Sequence, residues 1–424
     1  MLPTLAGPLR NWAGNLTFTP TELARPTTVG ELQDLVARSP RIRALGSGHS
    51  FSPVADTDGV LVTVRDLVGG IELDDATGAV TVPAGATYGV VGAELQRVGR
   101  ALHNTGSLPH IVVAGACATG TNGSGNGNRN LPSAVRAVEF VRADGELVTL
   151  SRDADPEVFG GAVLSLGALG IVTRLTLDTL PTFDVRQDLW QDVPFERLLA
   201  EVDDVMAAHY SVSVFTDWSR PDVVDKVWTK SRVDAFTDHP DDWLGGRRAT
   251  EAQHPIVGED TAGATQQLGV PGPWNARLPH FRIEFTPSNG EEIQSEYLLP
   301  REHTADALVA VRSLAERYPG VLQVFELRTV AADDLWLSPS YRRDTVGLHF
   351  TWVLDIDRVR PVLAELEAAI ARFDPRPHWG KVFTTPVADV RAQYPRLPDA
   401  AALVARLDPG AKFGNAFTDP YLRD

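Results

Sequence analysis

Cysteine is almost missing from this chain of 424 residues. Cys117 stands alone, which excludes an intrachain disulfide framework and any zinc or iron–sulfur site built from several thiolates. Positive charge is also scarce, with 39 Lys and Arg against 55 Asp and Glu and a formal net charge of −16. So acidic a surface repels phosphate backbones and anionic lipid, so neither nucleic acid nor a membrane is an expected partner. Long apolar runs are lacking. The charge-free stretch from Thr105 to Asn128 turns into Gly, Asn, Ser and Thr in its second half and carries too little apolar surface for a span. The first residues, Met1 to Trp12, show neither a basic n-region nor an unbroken apolar h-region, and the expected compartment is the reducing cytoplasm. Histidine pairs at metal-ligand spacing are absent, as is the Gly-x-Ser-x-Gly elbow of serine hydrolases, so no metal site and no hydrolase are expected.

What remains is a chain of ordinary globular composition, with 43% hydrophobic residues and room for about two or three domains. Up to about Leu180 it is dense in glycine and in short β-branched runs. Arg41 to Leu45, Val60 to Val64, Ala79 to Val82 and Val135 to Val141 read as strands between turn residues. Thr28 with Glu31 three residues on predicts a capping box and a helix through Val36. Ala86 to Gly99 predicts a second helix with Val90, Val91, Leu95 and Val98 on one face. Strands alternating with brief helices indicate an α+β or α/β layered domain. From about Pro181 to Pro375 the elements lengthen. Phe281 to Phe285, Glu296 to Leu299, Val321 to Val330 and Gly347 to Leu354 predict strands, and Thr304 to Tyr318 and Val359 to Phe373 predict amphipathic helices. That order suits a sheet with helices on one face. His239 to Leu278, rich in Gly, Pro, Asp and Gln, is long for a plain connection and reads as a surface excursion or a lid.

Two glycine-rich segments suggest a phosphate-bearing cofactor. Gly46-Ser47-Gly48-His49-Ser50 follows a strand and suits either a tight turn or a backbone cradle. The stretch from Gly115 to Asn128 has glycines at 115, 120, 123, 125 and 127 beside Thr119, Thr121 and Ser124, small side chains and hydroxyls that suit a pyrophosphate. Chemistry of another kind lies on two strands. A period of two puts Glu326 and Arg328 on one face of Val324 to Val330, and His349 and Thr351 on one face of the next strand. A carboxylate and a guanidinium among apolar neighbours must be paired or face a polar cavity, so these four are a structural pair with a core histidine, or the floor of a pocket. Lys381, between Trp379-Gly380 and Val382-Phe383, is a candidate for partial burial, and Ser107 sits in a Gly-Ser-Leu-Pro turn.

Together the Gly46–Ser50 turn and the Gly115–Asn128 loop resemble the vanillyl-alcohol-oxidase class of FAD enzymes. Asn11-Trp-Ala-Gly-Asn15, Ser165 to Gly170, Phe281 to Thr286, Ser340-Tyr341 and His378 to Lys381 resemble, in the same order, the bacterial alditol oxidases within it. The resemblance implies a two-domain α+β fold. Residues 1–180 would form an FAD-binding domain, 181–375 a substrate domain, and 376–424 a C-terminal segment returning to the FAD domain. It implies FAD bonded covalently through His49. Cofactor contacts are implied at Ala44, Leu45, Gly46, Ser47, Gly48, His49 and Ser50, then Ser107, Gly115, Thr119, Gly120, Thr121, Asn122 and Ile171. Asn122 and Val112 depart from the family pattern, which often has His and Ser there. Substrate contacts are implied for Ser107, Glu326, Arg328, Thr351 and Lys381, and catalytic roles for Lys381, Glu326, Arg328 and His349. The implied reaction takes a hydride from the terminal C1 of an alditol such as xylitol or sorbitol to flavin, with dioxygen as acceptor, giving an aldose and hydrogen peroxide. Gly106, small beside the flavin edge, would leave dioxygen a path. The expected partners are a small polyol and dioxygen, and the chain is expected to be a monomer. An aldonolactone or other sugar oxidoreductase on the same scaffold is the alternative, and a flavin sensor without turnover is a further rival.

Overall fold

Thr28 opens the first helix as its sequence requires. Its hydroxyl accepts from Glu31 N at 3.2 Å, the Glu31 carboxylate reaches back to Thr28 N, and Leu32, Leu35 and Val36 are buried along Val29–Arg38. The computed structural model describes residues 8–67, 69–285 and 291–423. The strands Glu22–Ala24, Val60–Val62 and Ile42–Ala44 pair in that order as a parallel sheet of three. A five-stranded antiparallel sheet follows, in the order Glu72–Leu73, Val80–Pro83, Ile171–Leu177, Val135–Val141, Leu147–Ser151. Its core holds Val80, Val82, Val138, Phe140, Leu175 and Leu177, and helices Val387–Gln393 and Leu397–Leu407 pack on the same core through Val390, Tyr394 and Leu403. The last part of the chain thus returns to the first.

Two local expectations here need correction. The helix Tyr88–Arg97 buries Tyr88, Val91, Gly92 and Leu95, whereas Val90 is 57% exposed. Thr87 caps it, so the buried stripe starts at Tyr88 and runs at spacings of three and four, which turns Val90 outward. The Gly115–Asn128 segment is not loop throughout, because Val113–Thr119 is a short helix that Gly120 ends in a left-handed conformation, φ 78°.

The middle of the chain builds a nine-stranded antiparallel sheet. Its main strands run Asp184–Pro194, Val223–Arg232, Ser211–Thr216, Leu322–Val330, Thr345–Val353, Glu292–Pro300, Arg376–Pro377. Alternation divides its residues between two faces. Val214, Val227, Phe325, Leu327, Phe350 and Tyr297 pack on Leu308, Val311, Leu363 and Leu366 of the helices Thr304–Arg312 and Ile356–Ile370. The opposite face is polar yet largely buried, with Lys226, Lys230, Glu296, Glu326, Arg328, His349 and Thr351. Burial of that many polar groups is tolerable only where they meet partners or a polar cavity, and this face meets the glycine-rich zone.

Phe281 to Phe285 is not a strand. Phe281 forms a single bridge to Ala264, and Phe285 N closes a turn onto Arg282 O. Thr286 lies outside the described residues. The 239–278 excursion lies over a cavity, which His254, Pro255, Ile256 and Gly263 line. Buried side chains stitch it to the sheet: Gln187 Nε2 donates to Thr265 Oγ1 at 2.8 Å, Lys226 Nζ to Pro255 O at 3.2 Å, and Lys230 Nζ to Leu278 O. It forms a roof. Among the described residues no helix is long and apolar enough to cross a membrane.

Candidate functional site

A cavity of about 760 Å³ lies between the glycine-rich zone and the polar sheet face. One wall is backbone. The strand Ile42–Ala44 delivers Gly46–Ser50, and a Cβ at Gly46 would lie 2.5 Å from Val112 Cγ2, so only glycine lets this turn close on the short helix. Gly48 takes φ 71°, and its carbonyl accepts from Trp12 N at 2.8 Å. Phe51 N donates to Gly380 O at 2.7 Å and Ser52 Oγ to Trp379 O at 2.7 Å, tying this turn to the segment that carries Lys381. His49 faces the cavity with Nδ1 buried and unpartnered, and burial pushes its imidazole down to about 4, so the ring is neutral.

Of the expected cofactor residues, Ala44, Leu45, Gly46, Ser47, Gly48, His49, Ser50, Ser107, Gly115, Thr119, Thr121 and Asn122 line this cavity. Gly120 and Ile171 do not. Gly120 serves as the helix cap, and Ile171 is fully buried in a separate apolar cluster between the cavity-lining Gly170 and Val172.

The opposite wall is the sheet. Glu326 and His349 are direct cross-strand partners, Arg328 pairs with Gly347, and Thr351 pairs with Val324. The four side chains singled out by alternation therefore do share one floor. Gly347 lies between Glu296 and Arg328: a Cβ there would be 3.4 Å from Glu296 Oε1 and 3.7 Å from Arg328 Cβ. Arg328 makes a buried ion pair with Glu326, and its Nη2 also donates to Ser107 Oγ at 2.7 Å. Burial opposes the Arg328 charge, but Glu326 and Glu296 more than offset it and hold the guanidinium above its usual range. His349 and Lys381 converge on Gln294: His349 Nε2 lies 3.1 Å from Gln294 Oε1, and Lys381 Nζ donates to the same oxygen. Burial lowers the Lys381 ammonium to about 8 and drives His349 well below its ordinary value, with Lys381 and Arg328 adding to the effect on His349.

Alternation applied one strand further would have found more. Glu292, Gln294 and Glu296 share a face of Glu292–Pro300, and all three line the cavity. Reading that strand as starting at Glu296 left out Glu292 and Gln294. Asn122 Nδ2 donates to Glu296 Oε1 at 3.1 Å. His280 had no periodic signal, lying in an irregular stretch after Pro279. Its Nδ1 is 3.1 Å from Ser107 Oγ, while His280 N and Phe281 N both donate to Ser107 O at 3.2 Å. Among the described residues no group of three or more His, Cys, Asp or Glu could hold a metal ion.

Residues 20–151 match the model of an FAD binding domain and residues 286–421 that of D-arabinono-1,4-lactone oxidase. The chain is 52% identical to an alditol oxidase of Streptomyces sp. (strain IKD472 / FERM P-14339) over 90% of its own length and 91% of that protein. It is 31% identical to an L-gulono-1,4-lactone dehydrogenase of Mycobacterium tuberculosis, again over 90% of this chain and 91% of the relative. In fold it is similar to a cholesterol oxidase from B. sterolicum, with a TM-score of 0.77 at 16% identity, covering 100% of this chain and 99% of the other.

Proposed function

The chain belongs to the alditol-oxidase family of FAD-dependent oxidoreductases, and on that footing we propose that it oxidises the terminal primary hydroxyl of an alditol such as xylitol or sorbitol to the aldose, with dioxygen reduced to hydrogen peroxide. The observation that carries this reading is the meeting, in one cavity, of a glycine cradle and a floor of Glu326, Arg328, His349 and Thr351. A lactone substrate has weaker support, since the lactone relative is 31% identical against 52% for the alditol oxidase.

The residues present fit FAD. Gly46, Gly48, Gly85, Gly106 and Gly115 bring backbone close to the cavity, Ser47, Ser50, Thr119 and Thr121 supply hydroxyls, and Arg43 and Arg65 line the same wall. Gly120 caps the short helix behind the cradle, and Ile171 lies in the apolar core between the cavity-lining Gly170 and Val172. His49 would hold the cofactor covalently through its imidazole, which would keep FAD from dissociating. A buried, neutral imidazole with a free nitrogen is the nucleophile such a bond requires. Bound here, FAD supplies a two-electron acceptor that takes hydride from the substrate carbon and hands the electrons to dioxygen.

This chain's own part is recognition and proton handling. Ser107, Thr351 and the Glu326–Arg328 pair present fixed donors and acceptors to a substrate with a hydroxyl on every carbon. Leaving such buried groups unpaired rejects a wrong substrate by as much as ~10⁴-fold. Lys381 is lowered to about 8 by burial, so near neutral pH a useful fraction is the free amine and can accept the hydroxyl proton. His349, neutral throughout this range, orients that hydroxyl. A reducing compartment such as the cytoplasm suits a chain whose one cysteine, Cys117, is a buried free thiol, and we read the working unit as a monomer.

One trace tests the reading. Xylitol added without air is expected to bleach the flavin band near ~450 nm, and air to restore it. An unbleached band would exclude the polyol, and bleaching without recovery would exclude the oxidase.

A further inference from the structure

Gln294 sits on the cavity face of its strand, cross-strand partner to Thr351 and diagonal to His349. Its amide cannot be turned either way, because Nε2 donates to the Glu292 carboxylate at 2.5 Å. The amide oxygen is therefore the atom that meets His349 and Lys381, and it accepts from both. An amide oxygen has two lone pairs, and here each is used. One consequence concerns the histidine. Facing an oxygen that can only accept, His349 Nε2 must carry the proton, which leaves Nδ1 as the lone-pair nitrogen of the neutral ring. The other concerns the lysine: its Nζ is drawn to one fixed point beside the same ring. The main chain reinforces this, with Val382 N donating to Gln294 O at 2.9 Å and Lys381 N to His378 O at 3.0 Å.

We propose that Gln294, oriented by Glu292, is a positioning residue that fixes the Nε2–H tautomer of His349 and holds Lys381 in place for the substrate hydroxyl. The proposal rests on the alditol-oxidising reading of this cavity. It assigns Glu292 and Gln294 to the reaction through His349 and Lys381. Other ionisable groups facing Lys381 and His349 are Glu296 on the same strand, Glu326 and Arg328 on the neighbouring one, His378 on the C-terminal segment and His280 on the roof. None of them occupies the position of the Gln294 amide oxygen between the two.

The test follows anaerobic flavin reduction by xylitol against pH in the wild-type holoenzyme, Gln294→Glu and Gln294→Leu. A carboxylate at 294 favours protonated Lys381, so the limb in which the rate rises with pH is expected to move up by about one unit or more. Leucine removes the acceptor without adding charge, so that limb is expected to move down and the plateau to fall about tenfold or more. A second readout needs no turnover: ¹⁵N signals of His349, assigned through their loss in His349→Asn, are expected to report Nε2–H in the wild type and a mixture of tautomers in Gln294→Leu. Unmoved pH limbs in both variants, or Nδ1–H in the wild type, would overturn the proposal. Failure of xylitol to bleach the wild type would overturn the alditol reading itself and this proposal with it, and the two failures are separate measurements.

Discussion

Trp12 lies flat against His49, with ring centroids 4.8 Å apart and planes 19° from parallel. The indole covers one face of the imidazole and leaves an edge for the cavity. His49→Ala is expected to give a protein whose flavin is released on acid precipitation, whereas the wild type keeps its yellow colour in the pellet. Trp12→Ala frees the ring to rotate and is expected to lower the acid-stable fraction without abolishing it. Acid-stable flavin retained at 49 after the alanine change would refute the tether.

Lys381 gives the pH dependence its sign. Burial depresses the ammonium to about 8, with Arg328 adding to the depression while Glu296 and Glu292 partly oppose it. If the amine is the proton acceptor, flavin reduction rises with pH and levels off above about 8. Lys381→Met should remove that limb and slow reduction by about 10² or more, while the FAD content stays at the wild-type level. Reduction at the wild-type rate in the methionine variant would dismiss lysine from the chemistry.

Arg328 and Glu326 form a pair whose side chains are 8% and 5% exposed. Taking away the cation leaves a carboxylate in a low-dielectric wall and removes a donor to Ser107 Oγ. Arg328→Met is expected to cost about 3–5 kcal/mol of stability. The double variant Glu326→Gln, Arg328→Met should recover part of that loss, because no buried charge is left alone. Denaturant melts of wild type, both single variants and the double variant decide it, and additive losses would mean that the pair carries no coupling.

Much of this site was legible because strands alternate. Glu326, Arg328, His349 and Thr351 break an apolar period-two pattern, and charges in such a pattern must go somewhere. The fold confirms that they go to one floor. The first helix was legible through its Thr28 cap and the others through their apolar faces. What escaped detection had no period. His280 reaches Ser107 from an irregular roof, and Trp12 reaches His49 across 37 positions of sequence. Glu292 and Gln294 did carry the signal, but the strand was read too short. The two exposed ends of apolar patterns, at Val90 and at Ile283 and Phe285, also misled, since an apolar residue near a helix cap or in a turn need not face the core.

A side chain at Gly106 tests the path proposed for dioxygen. A Cβ at this cavity-lining position would meet Thr121 Cγ2 at 3.5 Å and Ile111 Cδ1 at 3.7 Å, ordinary contacts that a methyl tolerates. The larger side chain of Gly106→Val projects further into the cavity. Bleaching by xylitol without air is expected to persist, and recovery in air to slow by about tenfold or more in stopped-flow traces, an estimate of about 1.4 kcal/mol on the barrier. Unchanged recovery would mean that dioxygen arrives by another route.

Lys230 tests the roof through stability. Its side chain is fully buried, donates to Leu278 O, and is pushed by desolvation down to about 7 from an ordinary 10.5. Between those two values the unfolded chain binds the proton more readily than the folded one, so this lysine makes stability rise with pH across about 7 to 10.5. Below that window both states are protonated, and the folded protein bears the full cost of a buried charge. The slope is about 1.4 kcal/mol per pH unit at most for one proton. Lys381 adds a contribution of the same sign from about 8 upward, so the comparison must be between variant and wild type at each pH. Lys230→Met loses the bond to Leu278 O at every pH but sheds the charge penalty at low pH. Its stability relative to wild type is therefore expected to be highest near pH 6 and to decline steadily toward pH 10. A difference that grows with pH would mean that the roof is not held by a lysine that folds in its neutral form.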